Sequence, residues 1–215
     1  MDFLSSFWYS LVITVSSVAL ILLCCSMCGW YITRVTSAIS KAMYLLCVFS
    51  MVVPFQMLMF TLSNLADRIG FNTPFNICFI YLGFGAGLAV FMFAGFVKNI
   101  PLEIEEAAMI DGCSEMKAMW KVMIPMASPG IITVTIFNFM NIWNEYFMAL
   151  IFANGNDKIR TLSMGLQNMI TSMKYTGDWA GLFAGVIIVL VPTLILYLLL
   201  SEKIVAGITG GAVKG

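Results

Sequence analysis

Long apolar stretches alternate with short polar ones along the whole chain. Five stretches reach the roughly 20 mostly apolar residues that a helix needs to cross a bilayer, at about residues 7–32, 42–62, 75–97, 130–152 and 181–200. Each is predicted to be a transmembrane helix, because a helix satisfies its own backbone hydrogen bonds where no water can. The second contains Pro54, which removes one backbone donor and predicts a kink. A polar run from Ser63 to Arg68 leads to Asn72-Thr73-Pro74, which reads as a helix break. The run from Asn154 to Asp178 reads as a polar loop, and a glycine-rich tail closes the chain. The longest polar interruption, about residues 99–125, separates the third and fourth stretches.

Composition agrees with this pattern. The chain has 215 residues, of which 61% are hydrophobic and 10% charged, and its mean hydropathy is +0.97. A soluble domain carries about 25% charged residues, so the expected class is an all-α polytopic membrane protein. Histidine is absent, which excludes histidine bases, triads and metal sites. No metal or cofactor is expected. The net charge of zero says nothing about nucleic acid, and no basic run supports such a partner, so none is expected. Of the six cysteines, only Cys113 lies outside the apolar stretches. The Cys25-Ser26-Met27-Cys28 spacing sits inside a membrane-spanning pattern, where cysteine serves as a small hydrophobe.

Charge bias orients the spans. One side carries Arg34, Lys41, Lys98, Lys117, Lys121, Lys203 and Lys214; the other carries Arg68, Lys158, Arg160 and Lys174. The richer side is predicted to be cytoplasmic, with residues 99–125 and the C-terminus. Five spans then place the N-terminus outside, although Asp2 precedes the first stretch and no basic segment or cleavage site marks a signal peptide. The expectation is a missing first span, through truncation or a misassigned start.

Residues 103–125 hold five of the eleven acidic residues, namely Glu103, Glu105, Glu106, Asp111 and Glu115. Pro101 suits a first helical position, and the clustered glutamates suit the positive end of a helix dipole. Ala107 and Ala108 leave room for close approach by another protein. Asp111-Gly112 signals a turn, with glycine free to take the left-handed conformation that ends a helix. Ser114 can cap a second helix, along which Met116, Met119, Trp120 and Met123 share one side at i, i+3, i+4 and i+7. Methionine suits an adaptable docking face. Pro125 ends the unit. An amphipathic helix lying in the interface has the same pattern. A paired-carboxylate active site would need a metal ligand or nucleophile that the segment lacks.

Glu106-Ala107-Ala108, three residues, Gly112, nine residues and Val122-Met123-Ile124-Pro125 resemble the EAA loop of ABC importer permeases. That pattern is Glu-Ala-Ala, three residues, Gly, nine residues, Ile-x-Leu-Pro; Val122 and Ile124 are the departures. Trp143-Asn144-Glu145-Tyr146, the run Arg160-Thr161-Leu162 through Gly165-Leu166, and the ending Gly207 to Gly215 resemble the carbohydrate-uptake branch, whose type member is the second maltose permease. The resemblance implies the type I importer fold. It also implies a loop (Glu106, Ala107, Ala108, Gly112, with Met116, Trp120 and Pro125) that docks on a cytoplasmic ABC ATPase dimer. The further implied partners are a second permease subunit, an extracytoplasmic solute-binding protein and a sugar substrate, in the inner membrane of a prokaryote. No phosphate-binding Gly-x-x-x-x-Gly-Lys-Ser/Thr occurs, so ATP hydrolysis belongs to a partner and this chain is not expected to be an enzyme.

Asn138, Asn141 and Glu145 are spaced i, i+3 and i+7 and are predicted to share one helical face. An acid within a span is costly and marks a candidate pathway or gate, with an inter-helix hydrogen-bond network as the alternative. Gly83 with Gly87, and Gly177, Gly181 and Gly185, have the spacing that lets helices pack closely. Two other function classes compete with the importer permease. A stand-alone secondary transporter or channel needs ionisable groups in several spans, and Glu145 is the sole candidate. A membrane anchor subunit needs neither a pathway nor a motor.

Overall fold

Hydrophobic stretches this long fold as helices, and among the described residues all regular structure is helical. The computed structural model describes residues 3–71, 73, 76–153 and 160–212. The Asn72 and Pro74 break, Lys158, Lys214 and the last residues of the tail lie outside them. The helices are α1 (Phe3–Arg34), α2 (Ala38–Val52), α3 (Phe55–Ile69), α4 (Ile77–Lys98), α5 (Leu102–Ile110), α6 (Glu115–Ala118), a π segment (Met119–Met123), α7 (Ile124–Met126), α8 (Ser128–Asn144), α9 (Phe147–Ala153), α10 (Leu162–Thr176) and α11 (Trp179–Ala212).

Three helices are long and apolar enough to cross a membrane: α1, α4 and residues Trp179–Leu200 of α11. The number rises to 5 if α2 with α3, and Glu115–Met126 with α8, each count as one broken span. The second predicted span is therefore two helices rather than one kinked helix. Pro54 is the N-cap of α3, in extended backbone, so the break falls where proline withholds its N–H. The fourth predicted span is also divided, into α8 and α9 at Glu145-Tyr146.

The predicted polar loop 154–178 contains α10. Its start is legible afterwards: the Thr161 side chain accepts the Met164 N–H, and Gly177, at φ 64, closes the other end. Leu162, Met164 and Gly165 are buried, which supplies the tertiary packing that a weakly apolar helix needs. Gly177 is thus a helix stop and not part of a packing stripe.

The chain divides into two compact units. The first comprises Met1–Val18, Pro54–Leu82 and Phe139–Leu199; the second comprises Ala19–Val53, Gly83–Asn138 and Leu200–Gly215. In the first unit, Ser6, Ser10, Thr14 and Ser17 form a buried stripe of small polar residues on α1. Such residues allow close helix approach and hydrogen bonds between helices. The Leu162 N–H donates to Ser10 Oγ at 2.8 Å, fixing the start of α10. Trp143, 1% exposed, centres this unit. Its ring stacks on Phe139 at 5.7 Å and meets Phe7 edge-on at 5.9 Å. Its Nε1–H donates to the Val189 carbonyl at 2.9 Å, next to the carbonyl that Pro192 leaves without a helical donor.

In the second unit, Val97, Ile100, Met123 and Ala127 form a buried cluster with Trp30 and Ile104 against it. Close approach there depends on missing side chains. A Cβ on Gly87 would lie 2.6 Å from the Cys47 carbonyl oxygen, and one on Gly85 would lie 2.7 Å from Ile21. Gly83, the predicted partner of Gly87, has nothing within 4 Å. The predicted Gly83–Gly87 stripe is therefore not formed: Gly85 and Gly87, on opposite sides of one turn of α4, are the positions that different neighbours approach.

Candidate functional site

The polar insert folds as two short helices joined by a tight bend. Pro101 is the N-cap of α5 rather than its first helical residue. The helix ends in a Schellman arrangement, in which the Cys113 N–H bonds the Ala108 carbonyl and the Gly112 N–H bonds the Met109 carbonyl, both at 3.0 Å. Gly112 has φ 85, a conformation that costs any residue with a Cβ. Ser114 caps α6 by accepting the Lys117 N–H.

Helical geometry sorts α5 into two faces. Glu103, Glu106, Ala107 and Ile110 are exposed, whereas Ile104, Glu105 and Ala108 turn inward. Exposed positions at i, i+3, i+4 and i+7 are one side of a helix. Ile110 is 86% exposed, an unpartnered apolar residue at the tip of the insert.

Glu105 is 5% exposed and was not singled out from its neighbours in the sequence. Its carboxylate accepts the Trp30 Nε1–H at 2.8 Å and forms an ion pair with Arg34. Arg34 also donates through Nη2 to the Ile100 carbonyl at 2.8 Å. A charge buried this deeply requires a partner and further hydrogen bonds, and here it has both. The outcome is a rigid connection from the last turns of α1 to α5. A helical wheel of residues 103–110 separates Glu105 from Glu103 and Glu106, but no local pattern names Arg34 as its partner.

The expected four-residue docking face on the second helix is corrected. Met119 and Met123 are buried, and Met116 and Trp120 are exposed. A π segment replaces α-helix over Met119–Met123. Its wider turn shifts the register, which puts both methionines on the inner side while Trp120 stays out. Pro125 lies inside α7 near its start. The change of direction comes two residues later, at Ala127, where Glu115–Met126 and α8 are bent by 75°. Glu106, Ala107, Gly112, Met116, Trp120 and Pro125 are therefore exposed, and Ala108 is half-buried.

Residues 2–201 match the family described as binding-protein-dependent transport system inner membrane component. The chain belongs to this family. It is a translocation subunit of the inner membrane. It is 34% identical over 209 residues to the "Probable starch degradation products transport system permease protein" of Thermoanaerobacterium thermosulfurigenes, a match spanning 97% of this chain and 75% of that one. It is 32% identical to the arabinooligosaccharides transport system permease protein of Halalkalibacterium halodurans, over 98% of this chain and 73% of the relative. A crystal structure of a bacterial ABC transporter that imports the acidic polysaccharide alginate shares the fold, with TM-score 0.77 and 22% identity, over 93% of this chain and 74% of that one.

In this permease two of the three polar residues predicted to share a face, Asn138 and Asn141, lie one turn apart on α8 with different burial, and the third, Glu145, falls outside the helix. Asn138 is buried, and its amide donates to the Val134 carbonyl at 2.9 Å. Asn141, one turn on, is exposed. Glu145 lies beyond the end of α8. Its carboxylate accepts the Met148 N–H at 2.9 Å, the Ala149 N–H at 3.1 Å and the Tyr81 hydroxyl at 3.2 Å. Those two N–H groups are free donors in the first turn of α9. They and Tyr81 draw Glu145 out of the helical register. Glu145→Gln keeps one carbonyl acceptor and presents an amide to the others. Loss of such a cap costs about 1 kcal/mol, so transport is expected to fall several-fold with the chain still folded. Wild-type uptake in proteoliposomes would remove any role for the carboxylate in the pathway.

Proposed function

We propose that this permease carries sugars or short oligosaccharides inward, driven by a separate ATPase that grips the exposed face of α5 and α6. The observation that carries the docking is the exposure of the insert's outer side. Glu106, Ala107 and Ile110 on α5 and Met116 and Trp120 on the second helix are all exposed, and α5 is locked to α1 through Glu105 and Arg34. An exposed cluster of aromatic, methionine and aliphatic residues rimmed by charge is the composition of a protein interface. Movement imposed on such a rigidly held element reaches the spans without being lost in a loop.

The sugar assignment rests on the relatives, whose names specify starch degradation products and arabinooligosaccharides. A second permease subunit and an extracytoplasmic binding protein complete the proposed assembly. Charge bias supports a cytoplasmic side for the insert and the C-terminus. The experiment is reconstitution with the candidate ATPase, sister permease and binding protein in liposomes. Uptake of labelled maltodextrins or arabinooligosaccharides, with ATP hydrolysis stimulated by loaded binding protein, is the expected result. Uptake that persists without ATP or the ATPase would favour a secondary transporter instead.

A further inference from the structure

A cavity of about 880 Å³ lies among the ends of α1, α2 and α4, and none of its lining residues belongs to α5 or α6. Its wall is mostly hydrocarbon and includes Leu45, Phe91 and Phe96, while Lys41 and Lys98 border it. Lys98 is the last residue of α4, a membrane-spanning helix. Lys41 stands near the start of α2. Both cations therefore sit where helices end, at headgroup level. Phe91 is seven residues back along α4, roughly 10 Å deeper by helix rise. Leu45 is one turn from Lys41 and is 66% exposed. Among the described residues neither lysine side chain forms an ion pair.

Two unpaired cations at the membrane surface, above an apolar hollow running inward, match one kind of molecule: an anion with hydrocarbon chains. Thr33, Ser40, Tyr44 and Asn99 also line the wall, but its surface is mainly apolar, which suits a hydrocarbon chain better than a sugar's ring of hydroxyls. A second protein would have to supply both carboxylates for the lysines and an apolar segment for the hollow, whereas a single anionic lipid carries both in one molecule. Basic pockets between membrane helices are known sites for anionic lipid headgroups, and Tyr44 in the same lining is a residue type that favours this level of the membrane. We infer that the crevice binds an anionic phospholipid, with its phosphate between Lys41 and Lys98 and an acyl chain along Leu45, Phe91 and Phe96. The inference rests on α1 and α4 spanning the membrane and not on which solute is carried.

The test is native mass spectrometry of the assembled importer, titrated with phosphatidylglycerol or phosphatidylcholine of identical chains. The wild type is expected to retain phosphatidylglycerol preferentially. Each lysine removed should weaken that retention roughly fivefold, so Lys41→Gln with Lys98→Gln should abolish the preference. Lys41→Arg with Lys98→Arg should keep it, and Lys174→Gln, an exposed lysine at the end of α10, should leave it unchanged. Three results would each overturn the inference: no preference in the wild type, equal retention by the double glutamine variant, or release of the lipid by inorganic phosphate, which would mark a free-phosphate site.

Discussion

Glu105→Ala is expected to give the largest loss of transport of any single substitution in the insert. The change removes the acceptor of both Trp30 and Arg34 and leaves a guanidinium on a side chain only 14% exposed. Breaking a buried pair from one side costs about 3–5 kcal/mol. Some of that is relieved here because Arg34 keeps its bond to the Ile100 carbonyl. With each 1.4 kcal/mol worth a factor of ten, transport should fall by roughly tenfold or more. Part of the loss is local: α5 comes free of α1, so ATP hydrolysis is no longer tied to uptake. Uptake and ATPase activity measured together on reconstituted complexes separate this from unfolding, because uncoupling leaves hydrolysis in place. Glu106→Ala is the control on the same helix. That residue is exposed, so its loss should weaken ATPase co-purification and leave the thermal midpoint unchanged. Equal and wild-type behaviour of both variants would remove the anchoring role of Glu105.

Gly112→Asp is expected to detach the ATPase while the permease itself stays folded. A Cβ at Gly112 meets nothing within 4 Å, so the chain has room for it. The cost within the permease is the left-handed φ of 85, of order 1–2 kcal/mol. Damage beyond that must fall on whatever approaches the bend. A carboxylate placed beside Glu106 and Asp111 adds bulk and a like charge where the proposed partner closes in. Gly112→Ala bears the same backbone strain with neither the charge nor the length. The pair of variants thus separates strain from obstruction. Co-purification lost in Gly112→Asp and kept in Gly112→Ala is the expected result. Loss in both would assign the effect to the bend itself, and normal co-purification with normal uptake in Gly112→Asp would remove the docking surface.

These two positions differ in how far the sequence discloses them. Gly112 is legible because its neighbours determine its role: an acid-glycine turn between two helical patterns calls for positive φ, and the structure has it. Glu105 is not legible, since its partner lies 71 positions away. The same limit explains the methionines. A period of 3.6 puts Met116, Met119, Trp120 and Met123 together, but a π turn intervenes and buries Met119 and Met123, the latter against Val97 and Ile100.

The chain's apolar runs, charge distribution and loop spacing are local quantities, and by themselves they determined an all-α polytopic membrane protein whose polar insert is built around a bend; the permease family came from the likeness of its motifs to known importers. Tertiary structure decided which insert residues face outward, that Arg34 and Trp30 hold Glu105, and that Glu145 leaves its helix to cap α9. The physical reason is the same in each case. Burial of a charge or a backbone donor is settled by partners distant in sequence, and their strength in a low-dielectric interior overrides the local helical period.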